Sequence, residues 1–167
     1  LREYEKQDLT NSTILLQIAR SFKGQGNKTK SLEFYEKSLS VNKEQPIAAI
    51  EYGRLLLTRA KYMEADTIFS NLVTQYPATP EYHYLLGKAV KGMKAAMDSL
   101  DARKVKAFRK EKLERTESAF AKAVQLDSTH QKALYELALL KLKQNDYPEV
   151  EKIAKRVQWA KGLIQSD

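Results

Sequence analysis

The chain has 167 residues, 43% of them hydrophobic and 30% charged, with no cysteine and two histidines. That apolar content suffices for a core, the lack of thiols excludes disulfides and thiolate metal sites, and no apolar run approaches the roughly 18 residues of a membrane-spanning helix. Lys and Arg number 29 against 21 Asp and Glu, a formal charge of +8 that favours acidic partners or surfaces.

Residues 1–11 read as the last turns of a helix and a loop, because Leu1 and Tyr4 have helical spacing and Asp8 to Asn11 form turns. They stand where the end of a preceding repeat would fall. Residues 12–45 then form a pair of helices, with Leu15, Ile18, Ala19 and Phe22 on the inner face of the first and Ser31, Tyr35, Ser38 and Leu39 on that of the second. Gly26 and Asn27 make the turn between them. Residues 46–79 repeat the arrangement most regularly, with Ala49, Tyr52, Gly53 and Leu56, a tight link at Arg59–Lys61, then Ala65, Phe69, Leu72 and Val73, and Pro77 at the end.

The next unit, 80–130, begins in register with His83, Leu86, Gly87 and Val90, but Thr116, Phe120, Ala123 and Val124 resume 17 residues later than a 34-residue period requires. The last unit, 131–163, returns to register with Leu134, Leu137 and Ala138, a turn at Asn145-Asp146, then Val150, Ala154 and Val157, leaving 164–167 as a tail. A hairpin of this size cannot bury its apolar faces alone, so a fixed 34-residue period specifies a stacked, all-α array. Gly53 and Gly87 open gaps on first helices in which aromatics such as Phe69 lodge. Trp159 lies on the last helix as a cap or as a contact for a further repeat.

The insertion, about 91–115, is helix-prone throughout. Val90, Met93, Met97 and Leu100 make one stripe, Val105 and Phe108 begin another, and Asp98 to Asp101 offers a turn, so both helices of the third hairpin are expected to be prolonged. One unbroken helix from Glu81 to Leu126 is the alternative. The insertion carries nine cations against four acids, a local net of +5.

Repeated in register, Tyr52-Gly53, Tyr62, Ala65, Phe69 and Pro77, then Leu86-Gly87, Phe120 and Ala123, then Leu137-Ala138 and Tyr147, resemble the tetratricopeptide repeat family. Ser31, Ser38, Lys43 and Ala154 depart from its pattern. The resemblance implies a right-handed α-solenoid of antiparallel helix hairpins, here with a prolonged hairpin in the third repeat. It also implies a concave groove lined by positions 5, 9 and 12 of each first helix. Here those positions hold Leu16, Arg20 and Lys23; Ile50, Arg54 and Leu57; Tyr84, Lys88 and Lys91; and Tyr135, Leu139 and Leu142.

A peptide or helix, acidic and partly apolar, from another protein or from the parent chain is the partner such a groove would hold. Some relatives grip a chaperone's C-terminal carboxylate with a Lys/Asn/Arg clamp. Leu16, Arg20, Glu51, Glu81 and Leu85 do not match that clamp, so this ligand is disfavoured. A second reading gives the basic insertion, through Arg103, Lys104, Lys106, Arg109, Lys110 and Lys112, to nucleic acid or an anionic membrane; a third makes the segment a positioning arm of a larger protein.

Catalytic chemistry finds few candidates. His83 falls on an apolar stripe and His130 in a turn, so the first is expected in the core and the second in solvent. Gly24 to Thr29 has its glycines two apart where a phosphate loop needs five, with no strand before it. The expectation is a non-enzymatic binding scaffold without cofactor or metal.

Overall fold

The computed structural model describes residues 11–94 and 102–164, the side chains of 158–164 excepted. Eight helices and no strand occur among them: α1 (Ser12–Gly24), α2 (Lys28–Val41), α3 (Pro46–Thr58), α4 (Tyr62–Gln75), α5 (Pro80–Gly92), α6 (Ala102–Leu126), α7 (Gln131–Lys143) and α8 (Tyr147–Ile164). The expectations for residues 1–10, Met97, the Asp98–Asp101 turn and the Trp159 side chain lie outside the described residues. No described helix is long and apolar enough to cross a membrane.

The odd-numbered helices are each 13 residues long, and their starts are built from local chemistry. Asn11 Oδ1 accepts from Thr13 N at 3.0 Å, His130 Nδ1 accepts from Ala133 N at 3.2 Å, and Pro46 and Pro80 occupy first-turn positions whose N–H would have no helical partner. Three hairpins turn through a left-handed residue at the fifteenth position of the unit: Gly26 (φ 75°), Ala60 (φ 56°) and Asn145 (φ 58°). Glycine and asparagine suit that backbone and alanine does not.

The chain divides into two compact units, Leu1–Leu72 and Val73–Asp167. In the first, Leu15, Ile18, Ala19, Phe22, Tyr35, Tyr52, Leu56 and Phe69 are buried as the periodicity predicts. Phe34 is buried as well and stacks on Phe22 at 5.4 Å, whereas Leu39 is only half-buried. Ser31 and Ser38 are fully buried because their hydroxyls donate to carbonyls of α1's unit, Ser31 to Ala19 O at 2.9 Å and Ser38 to Ser12 O at 2.7 Å. Serine is thereby accommodated where the pattern has a small apolar residue.

In the second unit, Phe120, Ala123, Val124, Leu134, Leu137 and Ile153 form the core cluster, with Val157 packed against it. Ile153, not the expected Ala154, fills the second-helix core place of the last hairpin; Ala154 is exposed. The true stripe is Val150, Ile153 and Val157, at i, i+3 and i+7, and alanine one residue further round is too short to bury useful area.

Both glycine sockets are present. A methyl at Gly53 would lie 2.5 Å from Phe69 Cζ, and one at Gly87 would lie 2.5 Å from Phe120 Cε1, with both rings fully buried. Gly87→Ala is therefore expected to destabilise by up to about 2 kcal/mol, an overpacking cost of about 1–3 kcal/mol offset by about 1 kcal/mol of helix propensity. Gly24 has no atom within 4 Å of such a methyl, so Gly24→Ala should be neutral or stabilising. Urea unfolding of the two variants checks this pair, and equal midpoints would contradict the socket.

Of the 17 extra residues of the third hairpin, 11 lie in α6, which has 25 residues against 14 in α2 and α4, and the other six lie between α5 and α6. Its first helix is not prolonged, which corrects the expectation of two lengthened helices and excludes the unbroken one. α5 stops at Gly92, with Met93 at ψ 145°, its side chain buried, and its carbonyl accepting from Lys112 Nζ at 2.5 Å. A tertiary hydrogen bond thus satisfies a helix end that local propensity would have continued.

A candidate protein-binding face on the first helices

Positions 5, 9 and 12 lie on one face of a helix, beside the core-facing positions 4, 7, 8 and 11. In the first unit this places Leu16 in the core, Ile50 and Leu57 half-buried, and Lys23 and Arg54 exposed. In the second, Tyr84 is half-buried, its ring 6.0 Å from Phe120 and 5.3 Å from His130. Tyr135 is 64% exposed and Leu142 48% exposed, with Leu139 half-buried between them, so α7 presents an apolar strip.

Two of the position-9 cations, Arg20 and Lys88, are held by carboxylates at position 6 of the following first helix. Arg20 grips Glu51 through both ends of its fork, Nε to Oε2 at 3.0 Å and Nη2 to Oε1 at 2.7 Å, and the Tyr35 hydroxyl donates to the same Oε2 at 2.8 Å. Lys88 and Lys91 donate to the two oxygens of Glu136, at 2.8 and 2.5 Å. The two pairs built on position 9 are 31 and 48 residues apart, and the difference is the 17-residue insertion.

These clasps set the electrostatics. Hydrogen bonding from Arg20 holds the Glu51 carboxyl below its ordinary 4.5 against the opposing effect of burial, with Tyr35 assisting. Burial pushes Glu136 up, but the ammoniums of Lys88 and Lys91 override it and leave the carboxyl below 4.5. Burial, then the bond to Glu51, raises the Tyr35 hydroxyl well above its ordinary 10.

Carboxyls depressed in the folded state contribute stability that is complete above their unfolded pKa and is lost as pH falls through the folded one. Stability should therefore decline from about pH 4.5 downward. Glu136→Gln should narrow the gap between urea midpoints at pH 7 and pH 3.5; an unchanged gap would mean that Glu136 carries none of it.

His83 is buried, with Nε2 2.8 Å from Pro77 O, so that nitrogen carries the proton and donates. His130 is not in solvent. Its side chain is 10% exposed, because capping α7 through Nδ1 and donating from Nε2 to Glu81 Oε2 at 3.2 Å wedge the ring beside Tyr84. Of the basic insertion, Arg103, Lys104, Lys106, Arg109 and Lys110 are exposed on α6, while Lys112 is half-buried on Met93 O. Burial lowers the Lys112 pKa below its ordinary 10.5.

Antiparallel helix hairpins with a 34-residue register, glycine–aromatic sockets and left-handed turns define a helical-repeat protein with the tetratricopeptide fold. Solved structures share it: MamA residues 41–end from Desulfovibrio magneticus RS-1, at 22% identity over 95% of this chain and 78% of that one, with a TM-score of 0.70; a thermophilic TPR protein of Thermus thermophilus, at 17% identity over 87% and 72%, with a TM-score of 0.62; and Pseudomonas aeruginosa PilF, at 17% identity over 92% and 62%, with a TM-score of 0.70. At these identities the likeness is one of fold. No protein-family model matches the chain, and no curated protein does.

Proposed function

We propose that the chain is a non-enzymatic scaffold that holds a peptide or helix of another protein against the outer stripe of its first helices. The observation that carries this reading is the strip on α7 in which Tyr135 and Leu142 stand exposed, with Leu139 half-buried between them, on a helix whose opposite face is core. Exposed aromatic and aliphatic anchors on a preformed surface are the usual source of binding energy in such contacts. The clasps refine the partner's chemistry. Glu51 and Glu136 already engage Arg20, Lys88 and Lys91, so the face recognised on α7 is chiefly apolar.

Affinity capture from source lysate with quantitative mass spectrometry, comparing the wild type with Tyr135→Ala/Leu142→Glu, tests the reading. At least one protein should be enriched by the wild type and lost by the variant. Identical captures would overturn the proposal.

A further inference from the structure

The bond from Lys112 to Met93 O sets α6 beside the end of α5. The ten residues before it, 102–111, therefore continue past that end, over about 15 Å at 1.5 Å per residue. They hold five cations and one acid, and all five cations are exposed. At about 100° per residue, Arg103, Lys106 and Lys110 share one face, with Arg109 on one flank and Lys104, beside the single acid Glu111, on the other. Val105 and Phe108 take up the remaining arc and are half-buried.

That distribution selects among anionic partners. Adsorption to a bilayer needs a fully exposed apolar face, and here the apolar arc, Val105 and Phe108, is half-buried while the cations are exposed. A flat acidic surface would meet one side of the helix and leave the flanking cations unused. The major groove of B-form DNA admits an α-helix and lines it with phosphates on both walls, which matches cations on a face and both flanks. Without an exposed aromatic to stack on bases, recognition rests on the phosphate backbone and has no sequence preference.

The geometry points to a second binding surface, independent of the first-helix stripe: the amino-terminal ten residues of α6 bind double-stranded DNA through its phosphates.

Fluorescence anisotropy with a labelled 20-base-pair duplex of mixed sequence tests it. The full chain should bind at 50 mM salt and weaken by about 40-fold or more at 200 mM, the fall expected for three phosphate contacts. The variant K106E/R109E/K110E should lose at least about 10-fold at 50 mM and flatten the logarithmic salt slope by about 2.7. A control of equal charge change at exposed lysines elsewhere, K28E/K43E/K143E, should stay within about 3-fold of wild type, with circular dichroism confirming that both fold. Equal losses in the two variants, no duplex binding at 50 mM salt, or tighter binding to phosphatidylserine-containing vesicles or a twelve-residue polyglutamate would each overturn the assignment.

Discussion

Phe69→Ala is expected to lower unfolding free energy by about 3–5 kcal/mol, the range for truncating a fully buried ring. Phe69 has no exposed surface, and its ring fills the space that Gly53 leaves by having no side chain. Alanine would empty both sides of that socket, and the helical backbones around it cannot collapse far. Phe120→Ala should cost a similar amount through Gly87, in the second unit. Urea unfolding followed by circular dichroism measures both. A Phe69→Ala protein with the wild-type midpoint would mean that the glycine–aromatic pair does not organise the hairpin.

Glu51→Ala is expected to cost about 1–4 kcal/mol. It removes three hydrogen bonds, but they are not equal. Arg20 has a side chain 37% exposed and regains water when its partner is lost, so its share is about 1 kcal/mol or less. The Tyr35 hydroxyl belongs to a residue with no exposed surface, and stranding it costs about 1–3 kcal/mol. The double variant Glu51→Ala/Tyr35→Phe should therefore be more stable than Glu51→Ala alone, because the orphaned hydroxyl is gone. If the second change adds a further loss instead, the stranded hydroxyl is not the main term.

The hairpins, the glycine sockets and the turns were legible in the sequence because each appears more than once at a fixed offset. Gly26, Ala60 and Asn145 share a place in the register although their side chains have little in common. The end of α5 was not legible. The sequence offers a turn only at Asp98–Asp101, whereas α5 ends at Gly92, where Met93 is buried and its carbonyl accepts from Lys112, nineteen residues away. Ile153 was missed because register was carried over from a unit with an aromatic at position 24, where this one has Ala154; the local spacing of Val150, Ile153 and Val157 held the answer.

The candidate face was legible as a stripe of residue types and not as an electrostatic surface. Arg20 and Lys88 read as a row of cations, whereas each belongs to a pair whose acid lies three positions short of one repeat further on. That spacing was the available signal, and it is hidden for Lys88 by the insertion. His130 escaped for a related reason: a turn residue reads as solvated until the helix it caps folds back beside Tyr84 and Glu81.

The most direct measurement is site-specific photo-crosslinking in the source organism, with p-benzoylphenylalanine at position 135 on the α7 strip or at position 128, an exposed residue off the stripe. A protein partner held by the first-helix face should give a discrete adduct from position 135 that is weak or missing from position 128 and is abolished by Leu142→Glu. The same adducts from both positions, or none from 135, would contradict the scaffold reading.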